Sequence, residues 1–425
     1  MSLVLLGLGT ARPPHTISQD AMARAATPCC TATQRQRRLL PALYRKASVQ
    51  SRHLAVLNQA GGPPPVTKAP SPTSPSMTPP AAEPDGGDAP DDARVERMLA
   101  VYPPAAAPSA DTGAGVTPDR GPSVGDRMRR YPEEALTLAE AACRAALEEA
   151  NIPVQAVGQL VVVTCTGFSA PGVDIGLIDR LGLPAGVGRT AVGFMGCHGA
   201  MNGLRVARSL ADGLLQPGQV VLMCCVELCS LHFQYGWDPQ KVVANALFGD
   251  GAAAIVGRPC ATDGADELFK NSADATVNQL PRVAAHGSLL LPDSRDAMTW
   301  LIRDHGFEMT LSAKVPDLIR RHLRGWFEPW IQSQNLELSA IGGWAIHPGG
   351  PRVISAVEEA LQLPVDADTG RAAGDASRDI LQTHGNMSSP TVLFILDRLR
   401  ALRTPRPWVT LAFGPGLTIE AALLR

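Results

Sequence analysis

One cysteine, Cys197, stands in the segment GFMGCHGAMNG (193–203) with Gly196 before it and Gly199 two residues on. A cysteine buried only for packing has no use for glycine on both sides. A nucleophile projecting from a tight strand-to-helix bend does, because glycine accepts strained dihedrals and lets a substrate approach the backbone. The spacing of LRVARSLADGLL (204–215) predicts a helix continuing from this bend, and its dipole would help hold a thiolate. Acyl chemistry at such a thiol also needs a base or positive partner and donors for an oxyanion. The C-terminal part offers His347, at the end of the strand-like WAIHPGG, and Asn386, in HGNMSSPT ahead of a helical run. Each has a plain structural explanation on its own: a hydrogen-bonded strand-end histidine, a turn or cap asparagine, an inert buried thiol. Together they sit at element ends beside glycine, and they form a set able to attack an acyl group and stabilise an oxyanion or enolate.

The elements that must position these residues alternate along the chain. MSLVLLGLGTA opens as a strand, being too short and lacking the basic start of a secretory signal. EEALTLAEAACRAALEEANI (133–152) has helical spacing and much alanine. QLVVVTCTGF (159–168), QVVLMCCVEL (219–228) and GAAAIVG (251–257) read as buried strands. The second half repeats the rhythm: a helix over 315–331, the strand before His347, a helix opened by Pro351, a helix after Asn386, then WVTLAFGPGLTIEAALLR as strand, Gly-Pro-Gly bend and strand. The pattern predicts a layered α/β protein with a duplicated core.

Residues 62–91 are rich in Pro, Ala, Ser and Gly and almost free of large apolar side chains, a composition expected to stay disordered. The tract 103–125 is expected to continue it, with a short helix over RVERMLAVY (94–102) between; the whole reads as a tolerated surface insertion or, less simply, a docking segment. Two further stretches, 258–280 and 365–378, read as surface-like insertions, the second as an extended loop.

Bulk properties narrow the class. With 425 residues, 45% hydrophobic, and a net charge of −2, the chain is long enough for two domains and offers no basic face for nucleic acid. No apolar run reaches the roughly 20 residues of a membrane span. Nine cysteines, without CxxC or metal-ligand spacing, fit a reducing cytoplasmic setting and give no support for zinc.

Five motifs in order, GFMGCHGAMNGLR, LFGDGAAA, WAIHPGGP, GNMSSPTVLF and AFGPGLTIE, resemble those of the type III polyketide synthases, the chalcone and stilbene synthase family. TCTGFSAPGVD and VELCSLHF give the chain a bacterial look, and the likeness covers 127–425 well and 1–55 loosely. The resemblance implies a thiolase-like α-β-α-β-α fold, a homodimer, and CoA thioesters as substrates without metal or redox cofactor. It divides the chain into an N-terminal half, 1–258 (with 62–125 as the insertion), carrying the nucleophile, and a C-terminal half, 259–425, carrying His and Asn. On this chain, Cys197 would take an acyl starter, and His347 and Asn386 would polarise malonyl-CoA, drive decarboxylation and stabilise the enolate that extends the chain before cyclisation to a pyrone, resorcinol or polyhydroxynaphthalene.

The same likeness places Phe248 as gatekeeper between CoA tunnel and cavity, with Met309 at the second gatekeeper position, where an adaptable Met leaves room for an aliphatic chain. Cys229 and His232 fall at variable cavity positions. Cys165 either steers cyclisation, as a second cysteine does in relatives that make tetrahydroxynaphthalene, or is a small buried hydrophobe. Gly414, Pro415 and Gly416 match the GFGPG loop of the cavity wall, with Ala412 replacing its first glycine. Arg45, Lys46 and Arg352 are candidates for the CoA phosphates. The rivals are a ketoacyl synthase III-like enzyme using acyl-carrier protein, a cysteine-dependent acyl hydrolase, and a binding protein on a dead scaffold.

Overall fold

Runs of aliphatic and β-branched residues become the strands of one nine-stranded sheet, seen in a computed structural model that describes residues 2–58, 91–104, 121–260, 281–365 and 370–425. The chain begins with β1 (Ser2–Ala11), then a small two-stranded pair, β2 (Thr16–Ser18) and β3 (Ser51–His53), bracketing α1 (Gln19–Cys30) and α2 (Gln34–Lys46). Next come α3 (Asp91–Val101), α4 (Val124–Ala150), β4 (Val157–Thr164), α5 (Val173–Leu181), β5 (Gly188–Gly193), α6 (Gly199–Leu214), β6 (Val220–Leu228), α7 (Pro239–Leu247) and β7 (Asp250–Cys260). The second part holds β8 (Arg282–Leu290), the hairpin β9 (Met298–Arg303) and β10 (Gly306–Leu311), and α8 (Val315–Gln332). It closes with β11 (Gly343–Ile346), α9 (Pro351–Leu361), α10 (Asp375–His384), α11 (Thr391–Ala401), β12 (Trp408–Gly414) and β13 (Thr418–Leu424).

The strand order is β11-β12-β13-β8-β1-β7-β6-β4-β5. Outward from the β1–β8 seam, the two sides follow one scheme. β1 pairs antiparallel with β7, β7 antiparallel with β6, and β6 parallel with β4; β8, β13, β12 and β11 repeat those relations in turn. The duplicated core read from the sequence is present.

Three apolar cores fill the spaces of five layers, two outer ones and a middle one on both sides of the central helices, as the alternation of strand residues shows. In β6, Val220, Leu222 and Cys224 face a core with α4, whereas Val221, Met223 and Cys225 face the middle layer of α6 and α11. In β12, Trp408 and Ala412 face that middle layer and Val409, Leu411 and Phe413 face α8 and α9. Strands buried on both faces must be apolar throughout, which is why these segments lack a period-two polar pattern. This is the thiolase-like layering expected.

Corrections fall on the insertions. Of the tract 62–125, the short helix expected over 94–102 is present as α3, packed against α1 with Met98 and Tyr102 buried. Residues 91, 103–104 and 121–125, expected to be disordered, are ordered, and α4 starts at Val124 under a Ser123–Asp126 capping box. The remaining calls on 62–90, 105–120, 261–280 and 366–369 lie outside the described residues. The stretch 258–280 is not wholly insertion, since β7 runs to Cys260, and 365–378 is not one extended loop, since α10 begins at Asp375. Among the described residues, no helix is long and apolar enough to cross a membrane.

Candidate active site

β5 ends at Gly193, and the chain then turns sharply into α6 through Phe194 and Gly196, both at positive φ (59° and 72°). A left-handed non-glycine residue is costly and marks a turn held by its surroundings. Gly196 has a second constraint: a Cβ there would stand 2.6 Å from Pro415 Cδ. The Gly-Cys pairing of the sequence therefore has a physical cause, and Pro415 is part of it. Gly196→Ala is expected to lower stability by roughly 1–3 kcal/mol through backbone strain and to cut turnover more than tenfold by shifting Cys197; unfolding curves beside product assays check both, and normal turnover would refute the constraint.

Cys197 is half-buried on a 3-10 turn at the start of α6. Burial pushes its thiol up to about 11; hydrogen bonding from Ser388 lowers it, the Glu227 carboxylate raises it, and Asn386 lowers it again. Asn386 comes from the segment before α11, held by two backbone bonds, Asn386 N–H to Leu247 O (2.8 Å) and Gly249 N–H to Asn386 O (3.0 Å). Its Oδ1 accepts from Ser388 N–H at 2.8 Å, the turn role expected of such an asparagine, which leaves the amide NH2 to face the thiol. Arg52, fully buried, donates to the carbonyls of Asn245, Ala246 and Phe248 (2.8–3.0 Å) and so fixes the end of α7 that both Phe248 and Asn386 lean on.

His347 follows β11 directly and is wholly buried, its N–H bonded to Leu411 O at 2.8 Å. Neither ring nitrogen has a hydrogen-bond partner among the described residues. Burial lowers its imidazole to about 3, with a smaller push from His198, the residue after Cys197. It is a neutral ring at physiological pH with one donor and one acceptor unspent, which in a buried site marks readiness for a ligand.

A small cavity of about 20 Å³, room for a water molecule, lies at Cys197. Cys165, Cys229, Phe248, Met309 and Pro415 line it as expected, but Gly414 and Gly416 do not. Gly414 instead backs onto the His198 ring, which is fixed by Thr418 (2.5 Å) and Asn202 (2.7 Å), and Gly416 N–H bonds Met298 O. His232 lines an adjoining cavity; its Nε2 meets Thr166 O at 2.7 Å, its Nδ1 accepts from Phe307 N–H at 3.0 Å, and its ring stacks on Phe307. Lys46 and Arg352 line one open groove of about 500 Å³ with Leu43, Val243 and Leu247, whereas Arg45, exposed on the same helix end, does not.

Sequence reasoning missed Glu227, Ser388 and Trp300. Trp300, on the β9–β10 hairpin, donates to Cys165 O at 2.8 Å and turns its edge to Phe248. Glu227 is fully buried and accepts from Cys165 N–H (2.9 Å), Thr166 (2.8 Å) and Ser389 (2.6 Å). A lone charge inside the apolar strand VVLMCCVEL was its signal. Burial raises its carboxyl from 4.5 to about 6. The folded state thus holds a proton that the unfolded chain releases, so this group's stabilisation is complete below about pH 4.5 and is lost as pH rises through 6, a change of about 2 kcal/mol. Glu227→Gln removes that term, so its destabilising cost is expected to be larger at pH 4.5 than at pH 8 by about that amount; denaturant titrations at both pH values check it, and a pH-independent cost would refute it.

Comparison with known proteins bears on this arrangement. Residues 113–259 match the family model of the N-terminal domain of chalcone and stilbene synthases, and residues 283–425 match the model of the C-terminal domain. The chain is 38% identical over 294 residues to a 1,3,6,8-tetrahydroxynaphthalene synthase of Streptomyces peucetius subsp. caesius, covering 68% of this chain and 73% of that one. It is 33% identical over 307 residues to the alpha-pyrone synthesis polyketide synthase-like Pks18 of Mycobacterium tuberculosis, covering 71% and 73%. The crystal structure of PKS-I from the brown alga Ectocarpus siliculosus superposes with a TM-score of 0.77 at 26% identity, covering 100% of this chain and 98% of that one.

Proposed function

Because the chain belongs to the chalcone and stilbene synthase family of type III polyketide synthases, we propose that Cys197 is its acyl-carrying nucleophile and that His347 and Asn386 generate the enolate that attacks it. The enzyme is an acyltransferase that condenses malonyl units from malonyl-CoA onto an acyl starter and cyclises the product. The observation that carries the residue assignment is a half-buried thiol at the tight turn into α6, lining the cavity there, together with a buried imidazole whose two nitrogens are unspent.

In the first step, the Cys197 sulfur attacks the starter thioester, its proton passes to His347, and CoA leaves with that proton. Malonyl-CoA then enters, its thioester carbonyl facing the His347 ring N–H and the Asn386 amide. These donors stabilise the negative charge that moves onto that oxygen as carbon dioxide departs. The enolate carbon attacks the Cys197 thioester, the C–S bond breaks, and the sulfur leaves as a thiolate that is free to take up the extended chain or a proton from solvent. Lys46 and Arg352, which line the groove, would meet the CoA phosphates, and Phe248 and Met309, which line the cavity at Cys197, would act as its gatekeepers. Nucleophile and donors come from the two halves, 1–258 and 259–425.

A homodimer fits the same reading. β5 is an edge strand, and beside it Phe168 and Met195 are 52% and 37% exposed, an apolar rim of the kind that a second copy covers. Cys165, buried at 3.4 Å from Ser388 on the cavity wall, lies where it can steer ring closure.

Mass spectrometry of products tests the assignment: malonyl-CoA alone first, then short, long and aromatic acyl-CoA starters. A product from malonyl-CoA alone places the enzyme with the naphthalene formers and gives Cys165 its role; products only with long starters make it a pyrone or resorcinol synthase. Free acid without condensation would mean an acyl hydrolase, and turnover only from carrier-protein substrates a ketoacyl synthase III-like enzyme.

A further inference from the structure

The space at Cys197 continues past its own wall. Cys229, Phe248, Trp300 and Met309 line both the cavity at the thiol and a second one behind it, whose far side is formed by Met22, Leu54 and Met98. Met98 is 1% exposed and comes from α3, the short helix between the two Pro- and Ala-rich stretches. That helix is fastened at both ends. Ser18 Oγ donates to Asp91 Oδ2 at 2.6 Å at its start, and past its end the Tyr102 hydroxyl donates to Ser230 O at 2.8 Å, one residue from Cys229. The Tyr235 hydroxyl holds Pro103 O at 2.6 Å.

Each of the two chambers leaves about 20 Å³, so an acyl chain of several carbons enters only where side chains yield. Trp300 and His232 are hydrogen-bonded in place. Met22, Met98 and Met309 are not so held, and unbranched thioethers change rotamer readily. The polar groups of the second chamber are spent on each other: Asn245 accepts from Gln234 N–H and donates to Gln234 O, and the Gln234 amide donates to the carbonyls of His232 and Phe307. What remains facing the space is apolar, which suits an aliphatic chain.

We infer that Met98, carried by α3, is the end wall of the acyl cavity and sets the length of aliphatic chain that Cys197 can hold. This rests on the reading of Cys197 as the acyl-carrying nucleophile. Opening the wall should admit longer chains; enlarging it should exclude them. The preference changes by at least about tenfold per methylene, the usual scale for a hydrophobic pocket.

The test is intact-protein mass spectrometry of acyl loading on the full chain, across a straight-chain series from acetyl-CoA to palmitoyl-CoA. Met98→Ala is expected to move the optimum to longer chains and Met98→Trp to shorter ones. Met98→Val and Met98→Phe, smaller steps in the same directions, carry the test if the larger changes do not fold. Wild-type loading with the same profile in every folded variant would overturn the role of Met98 and leave the polyketide assignment standing. No acyl mass on the wild type from any starter would overturn that assignment and this inference with it.

Discussion

Cys197→Ala will give no detectable polyketide from any starter, a fall of at least about a thousandfold, while malonyl-CoA is still decarboxylated to acetyl-CoA. Covalent capture holds the acyl group against the enolate, and well-oriented intramolecular reactions gain effective molarities of roughly 10⁵–10⁸ M. Removing the sulfur takes all of that away. No other thiol replaces it, because Cys165 and Cys229 are fully buried and burial holds their thiols well above the ordinary range. The change removes one atom at a half-buried position, so the fold should persist, and an unchanged unfolding curve is the control. Product formation within tenfold of the wild type would overturn the assignment.

His347→Ala will do what Cys197→Ala does not: it will stop decarboxylation as well as condensation. Removing one oxyanion donor costs about 10²–10³ in turnover, and here the same donor serves the enolate and the acyl transfer. His347→Gln, which keeps an N–H donor, should recover part of the decarboxylation but little of the acyl loading, which needs a proton acceptor. The imidazole titrates near 3, so it stays neutral above about pH 4 and malonyl-CoA decarboxylation should not fall between pH 5 and 8 on its account. Release of carbon dioxide and acyl loading, measured separately across that range, distinguish the two steps. Full decarboxylation by His347→Ala would place the enolate chemistry elsewhere.

The strands and middle-layer helices were legible because burial on both faces forces uninterrupted apolar runs, as in QVVLMCCVEL. Cys197, His347 and Asn386 were legible because turns at element ends need glycine. What escaped was set by contacts distant in sequence. Nothing in MTWLIRDHGFEMTL shows that Trp300 will reach across to Cys165, since the hairpin packs on the site with both faces partly covered. Nothing in the strands gives the seam between β1 and β8, which among the described residues pairs Leu3 with Val283 and Val4 with Arg282. A short helix over 94–102 was legible and is there as α3, but its docking was not: nothing in so polar a run shows which surface Met98 and Tyr102 will be buried against.

The repeated strand scheme says something about descent. β4 corresponds to β11, and the residue after each is Cys165 in one case and His347 in the other. α6 corresponds to α11, and the turns leading into them carry Cys197 and Asn386. These four candidate positions are thus two copies of one pair. A single ancestral half, pairing with its twin about a twofold axis, would have put identical residues at the centre. Fusion of two such copies into one chain would free each to diverge, so that one turn could carry Cys197, the proposed nucleophile, and its counterpart Asn386, the proposed amide donor.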